Sequence, residues 1–554
     1  MIQIQHLTII HTKDLRELVH DLNLTIATGE KVAIIGEEGN GKSSLLALLV
    51  NPKAHFDYLS YEGNINKPDS PQVYIPQQIS DSFQSLTLND YFFADTYDLD
   101  YAILYRLADE LHFDSERFAS SQLISTLSGG EKLKIQLIRE LARPHDFIFL
   151  DEPSNDMDLT TMTWLKDFIK HSDKTIVYIS HDEDLLSQTA DTIIHLELLK
   201  RRRQARTSVE HLDYDNYSQK RTDSYRQQMQ QAKTEKKAYD KAMAKHRRIK
   251  QNVQTTLRNT HDSTQGRLVA KKMKAVLSQE KLYDRLAQDM TQMPDKEDSI
   301  ELFFSHITPL PQGKYLLNLD EKQINIAPHL TIDHLKLSLK GQEKIGIVGD
   351  NGCGKSTLLH YLYQKLSQKT DLTIGYMPQH YDTILPLDLS PIAFLSKTGD
   401  KSEREVISSH LANLNFSHDE MNHVISDLSG GQKGKLLLLH LVLESPQLLI
   451  LDEPTRNFSP TSQPQVRQLF DNYPGAILTV SHDVNRQGPV WNTSTMITTA
   501  NIALIATNNR CSKPKLRKKP TTKLWPSIAA SNKMSKPPYE IRMTARKDDC
   551  LLKR

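Results

Sequence analysis

Two stretches of this 554-residue chain set glycine, lysine and hydroxyl side chains at a spacing suited to phosphate, 32-VAIIGEEGNGKSS-44 and 345-IGIVGDNGCGKST-357. Each is an apolar run followed by Gly, four residues and Gly-Lys-Ser, the P-loop pattern. Phosphate oxygens are gripped by backbone N–H groups at the start of a helix, and side chains at the glycines would block that approach. Gly36, Gly39 and Gly41 therefore form one candidate cradle, and Gly349, Gly352 and Gly354 a second. Lys42 and Lys355 would reach the outer phosphates, and Ser43 and Ser356 would offer a hydroxyl to Mg²⁺. Ser44 and Thr357 complete the two motifs, and Cys353 reads as a small spacer.

Further along, two apolar strands end in adjacent acids, 147-FIFLDEP-153 and 448-LLILDEP-454. Asp151 and Asp452 are placed to hold Mg²⁺, while Glu152 and Glu453 are placed to orient or deprotonate an attacking water. His181 and His482 each follow a β-rich run, 175-TIVYIS-180 and 476-AILTVS-481, and are candidates to contact a terminal phosphate.

These landmarks recur in register. From 127-LSGGEKLK-134 to 428-LSGGQKGK-435, from Asp151 to Asp452 and from His181 to His482 the offset is 301 residues each time. One α/β domain thus occurs twice, each copy alternating buried strands with helices. The P-loop lysines are 313 residues apart, so the first copy is longer by 11 residues between Lys42 and Gln77 than the second between Lys355 and Gln379. That extra length, around residues 51–70, contains Asn, Pro, Gly and Asp and is expected to form a surface loop.

Charge separates the remaining segments. Residues 200–292 carry 23 Lys and Arg against 10 acids, and residues 484–554 carry 15 against 3, leaving a net of −24 for the rest of a chain whose formal total is +1. Basic segments between acidic blocks point to a polyanionic partner. Two long helices are expected at roughly 217–254 and 268–292, with 258-RNTHDSTQGR-267 as the tip of an antiparallel hairpin and Tyr225, Tyr239, Met273, Leu277 and Tyr283 sealing it. The expected layout is a first domain over 1–199, a basic hairpin over 200–300, a second domain over 301–483 and a basic tail over 484–554. Three cysteines build no disulfide framework, the N-terminus lacks an export signal, and the longest apolar run, 436–451, is broken by His440, Glu444 and Pro446. A reducing cytoplasm is the expected setting.

The set of P-loop, Gln, LSGG, DEP and His resembles the ATP-binding cassette ATPases. In that family two cassettes face head to tail, so each ATP lies between one P-loop and the other LSGG stretch. The resemblance implies that ATP and Mg²⁺ at the first P-loop also meet Gln77, Ser429, Gly430 and Gly431, and that those at the second meet Gln379, Ser128, Gly129 and Gly130. The glutamines would join Ser43, Asp151, Ser356 and Asp452 around the metal. ATP would close the pair and hydrolysis open it.

Two cassettes in one chain, joined by a charged helical linker containing 271-KKMKAVLSQEKLYDR-285, are similar to the F subfamily of cassette proteins. That resemblance implies a monomer without a membrane permease that binds the ribosome, its linker (200–300) directed at rRNA, the P-site tRNA and the peptidyl-transferase centre. No inserted arm fits in the first cassette, a feature similar to the antibiotic-resistance members of Gram-positive bacteria, which dislodge lincosamides, pleuromutilins and streptogramin A. A housekeeping translation factor, a transporter ATPase and a nucleic-acid repair ATPase are the competing classes.

Three features depart from the family pattern. Ser459, in 455-TRNFSP-460, stands where the first copy has Asp158. An adenine-stacking aromatic is not evident ahead of either P-loop, with His11 the candidate in the first copy. After residue 484 the apolar repeat is lost, as in a disordered basic tail or a shifted reading frame.

Overall fold

The apolar runs that carry the motifs become central strands because both of their faces are covered, which a near-continuous hydrophobic sequence requires. In the computed structural model the described residues are 1–54, 56–94, 98–154, 157–199, 204–259, 263–294, 300, 302–304, 307–327, 330–348, 354–369, 371–480, 496–498 and 503–506. All lie in one unit, Met1–Thr507. The first copy supplies β1 (Ile2–His11), β2 (Glu17–Ile26), β3 (Lys31–Gly36), β4 (Leu59–Asn66), β5 (Gln72–Ile75), β6 (Phe147–Asp151), β7 (Thr175–Ile179), β8 (Thr192–Leu198) and β9 (Gln204–Glu210). The second supplies β10 (Tyr315–Ala327), β11 (Leu330–Lys340), β12 (Lys344–Val348), β13 (Ile374–Met377), β14 (Leu448–Asp452), β15 (Ala476–Val480), β16 (Met496–Thr498) and β17 (Ala503–Ala506).

Sheet order repeats with the sequence. The first main sheet runs β5-β6-β7-β3-β8-β9 and the second β13-β14-β15-β12-β16. Every residue of β3, β6, β7, β14 and β15 with a described side chain is buried or nearly so. In the first copy, Leu45 and Leu49 of the P-loop helix (Lys42–Val50) cover one face, and Leu104, Ile135 and Ile138 cover the other. At about 25 cal/mol per Å² of apolar surface, such two-sided burial is what holds the phosphate loops in place.

The extra segment of the first copy is not simply a loop. Residues 59–66 form β4, an edge strand paired antiparallel to β1, with Ile4 opposite Ile65 and Ile9 opposite Tyr61. Nearly all its side chains are exposed, so it lacks the alternation by which a strand is read, and Gly63 (φ 108°) adds a turn-like signal. In the second copy the third strand, β17, pairs instead with β11, the counterpart of β2.

Past residue 484 the described residues are β16 and β17. β16 runs parallel to β12 with Ile347 opposite Ile497, as β8 runs beside β3. Two short pieces of the expected tail thus extend the sheets of the second copy.

The stretch from residue 200, read from sequence as the start of the linker, first adds β9 to the edge of the first sheet, antiparallel to β8. Two helices follow, Tyr214–Asn259 (46 residues) and Ser263–Asp289 (27 residues). At 1.5 Å per residue they are about 70 and 40 Å long. The tip is tighter than expected, since both flanks of 258-RNTHDSTQGR-267 are helical and only residues 260–262 lie between the helices, outside the described residues. Gly266 is carried inside the second helix at a cost of about 1 kcal/mol. The expected seal also differs. Leu277 is exposed, whereas Ala232 and Val276 are buried. His246 donates from Nε2 to the Val276 carbonyl at 3.0 Å and meets Tyr283 edge-on.

Candidate functional site

Strand β3 ends at Gly36, whose φ of 147° is open to glycine alone, and a Cβ there would stand 2.3 Å from the Leu196 carbonyl oxygen on β8. Asn40 fixes the loop by donating from Nδ2 to that same carbonyl at 3.0 Å. Gly41 (φ 87°) begins the P-loop helix and abuts Leu18, while Gly39 is also left-handed. Lys42 is buried and donates from Nζ to the Gly36 and Glu37 carbonyls at 3.0 and 3.1 Å. Gly36→Ala is expected to weaken binding of a fluorescent ATP analogue at this loop by about 100-fold, because either the Cβ or Leu196 must move.

The Ser43 hydroxyl donates to Asp151 Oδ1 at 3.2 Å. Burial pushes the Asp151 carboxyl up to about 6, with Glu152 adding to the rise and Ser43 opposing it. A buried carboxylate beside a hydroxyl at the mouth of a phosphate loop fits Mg²⁺, which takes few protein oxygens and completes its shell with phosphate and water. Glu152 follows at φ 50°, held by its own N–H on the Ile179 carbonyl at 3.1 Å. Its carboxylate accepts from Gln77 Nε2 at 2.8 Å and lies 3.2 Å from His181 Nε2. Acid, glutamine and histidine thus converge on one point above the P-loop.

The second copy repeats this in part. Gly354 (φ 94°) starts the helix Lys355–Ser367, whose first turn holds the buried Lys355 together with Ser356 and Thr357. Asp452 is buried, and Glu453 (φ 49°) donates its N–H to the Val480 carbonyl at 3.0 Å. Gln379 Nε2 donates to Glu453 at 3.2 Å, and Arg456 adds a guanidinium at 3.4 Å. Gly349, Gly352 and His482 lie outside the described residues.

Each LSGG stretch opens a helix, Gly129–Leu141 and Gly430–Glu444. Ser128 and Ser429 cap them in reciprocal boxes with Glu131 and Gln432, which leaves the N–H groups of Gly129, Gly130, Gly430 and Gly431 at the helix start. The second of these helices faces the first P-loop: Gly431 N–H donates to Glu38 at 2.9 Å, and Gln463 Nε2 donates to the His181 carbonyl at 2.8 Å. Between them lies a cavity of about 790 Å³. The first copy lines it with Gly39, Gly41, Lys42, Ser43, Ser44, Gln77, Glu152 and His181, and the second with Gly430 and Gln379. His11 is on its wall. So are Tyr58, Arg16, Lys433, Arg456 and Asn457, which the sequence did not single out. Tyr58 belongs to the segment read as a loop, where an aromatic gives no signal of its own.

Residues 19–155 and 332–456 match a family model described as ABC transporter. The chain carries two ATP-binding cassettes. It is 26% identical over 511 residues to the probable ATP-binding protein YheS of Escherichia coli (strain K12), covering 85% of this chain and 75% of that protein. It is 26% identical over 478 residues to the probable ATP-binding cassette sub-family F member 3 homolog of Encephalitozoon cuniculi, covering 85% and 76%. Among solved structures, ribosome-bound archaeal Pelota and ABCE1 includes a chain similar in fold, with a TM-score of 0.51 and 16% identity, covering 86% of this chain and 74% of that one. The likeness to these ATP-binding proteins runs across both cassettes, and one of them is named for sub-family F. No helix among the described residues is long and apolar enough to cross a membrane.

Proposed function

We propose that the protein is a cytoplasmic, Mg²⁺-dependent ABC-F ATPase that acts on the ribosome through its hairpin. The observation that carries this reading is the composite site: the first P-loop, with Lys42, Ser43, Asp151, Glu152, Gln77 and His181, opens onto the LSGG helix of the other cassette across one cavity. A nucleotide there would bridge both cassettes, so binding would close them and hydrolysis by Glu152 and Glu453 would release them. The second site would pair Lys355 and Ser356 with Ser128, Gly129 and Gly130. The output element is the basic hairpin, anchored on the first cassette by Tyr217 and Arg221 and long enough to reach well beyond it. Its excess of cations suits a phosphate backbone, and ABCE1, a structural neighbour, was solved on a ribosome.

Co-sedimentation tests this. With ATP, a Glu152→Gln, Glu453→Gln double variant is expected to pellet with bacterial ribosomes, and a Lys42→Ala, Lys355→Ala double variant is not. Equal pelleting of the two would end the ribosomal reading. The narrower reading, protection against drugs of the peptidyl-transferase centre, is supported by the armless first cassette. It requires expression to raise the inhibitory concentration of a lincosamide, pleuromutilin or streptogramin A; no rise for any of them leaves a housekeeping translation role.

A further inference from the structure

The first P-loop carries adjacent acids, Glu37 and Glu38, where phosphate is to be received, whereas the second has Asp350 and Asn351. Both glutamates are engaged by the opposite cassette. Glu38 Oε2 accepts from the Gly431 N–H at 2.9 Å and would lie 3.0 Å from a Cβ added at Gly430. Its carboxylate thus covers the N-terminus of a 15-residue helix, where free N–H groups and the helix dipole favour an anion. Glu37 Oε1 accepts from Ser459 Oγ at 2.8 Å and from Ser462 Oγ at 2.5 Å, and its Oε2 is 3.6 Å from Lys435 Nζ. All four of these residues are buried.

The internal repeat gives this cluster its meaning. At the 301-residue offset, Lys435, Ser459 and Ser462 correspond to Lys134, Asp158 and Thr161. In the first cassette Asp158 pairs with Lys134 at 3.0 Å and accepts from the Thr161 N–H at 2.7 Å, all within one domain. In the second cassette the carboxylate is missing from that place, and Glu37 supplies it from the facing P-loop. An aspartate at 459 would set two carboxylates against each other in a buried site, where only one could ionise readily.

We propose that Glu37 and Glu38 form an acidic latch between the cassettes, with Glu37 replacing in trans the carboxylate absent at Ser459 and Glu38 holding the γ-phosphate seat on the second LSGG helix until ATP displaces it. ADP lacks the group that competes for this seat, so the latch makes the first site discriminate between the two nucleotides. The proposal rests on ATP occupying the composite site.

The test uses the full chain with Lys355→Ala, which leaves one working P-loop, and fluorescent ATP and ADP analogues. Glu38→Gln is expected to tighten ATP about tenfold and to leave ADP within about twofold. Equal shifts for the two nucleotides, or no shift, overturn the latch while leaving ATP binding in place; no binding by the parent overturns both readings. Amide exchange without nucleotide supplies a second readout. Protection of residues 429–434 is expected to fall in Ser459→Asp and to return in Glu37→Ser, Ser459→Asp, where the carboxylate has changed sides. Loss of protection that the swap does not restore also overturns the latch.

Discussion

Glu152→Gln in the full chain is expected to lower phosphate release about 100-fold or more, the usual scale for a lost general base, with ATP binding retained. The side chain leaves the end of β6 at φ 50°, a conformation that costs a non-glycine residue about 1–3 kcal/mol and persists where its surroundings impose it. Here the imposition comes from the Ile179 carbonyl on the Glu152 N–H and from Gln77 and His181 on the carboxylate. Glutamine keeps the shape and loses the base, so the defect belongs in turnover. Glu453→Gln is expected to cost less. The Glu453 carboxylate is tied to Arg456, whose equivalent in the sequence of the first copy is Asn155. Phosphate release by the two single variants decides this, and equal losses would show that the sites contribute alike.

The groups gathered at the first site were legible because their chemistry needs short contiguous motifs. Gly36, Lys42 and Ser43 must adjoin one another to hold a phosphate, and the constant offset set them in register with Asp151 and His181. The hairpin was legible from charge and from the absence of Pro and Gly over 217–254 and 268–292. What stayed hidden depends on partners far along the chain. Strand β4 is exposed on most of its length and shows no periodicity until β1 lies beside it. Ser459 reads in sequence only as a departure from Asp158 of the first copy, and its partner is Glu37, 422 residues away. Likewise His246 has no partner in sequence that marks it as the clasp of the hairpin, yet it is buried at Val276.

Glu197→Ala is expected to destabilise the first cassette by about 2–4 kcal/mol and to loosen its connection to the hairpin, because a buried charge would be removed from two cations that depend on it. Glu197 is 1% exposed on β8 and accepts from Arg206 Nε on β9 and from Arg221 Nη2 on the first hairpin helix, each at 2.7 Å. The preceding residue but one, His195, shares a 2.6 Å hydrogen bond with Tyr217 of that helix. Between them, Leu196 offers its carbonyl to Asn40 of the P-loop. Three consecutive residues of one strand therefore touch the phosphate loop and the hairpin. Burial alone would raise the Glu197 carboxyl, but His195, Arg221 and Arg206 outweigh it and hold the group below its ordinary 4.5. A carboxyl so depressed contributes stability above its unfolded value and loses that contribution as pH falls through its folded one. The urea midpoints of parent and variant should accordingly differ most near pH 7 and draw together in acid below the ordinary glutamate range. A gap that stays constant with pH would mean that Glu197 acts through packing, and the strand would then couple loop and hairpin without the charge.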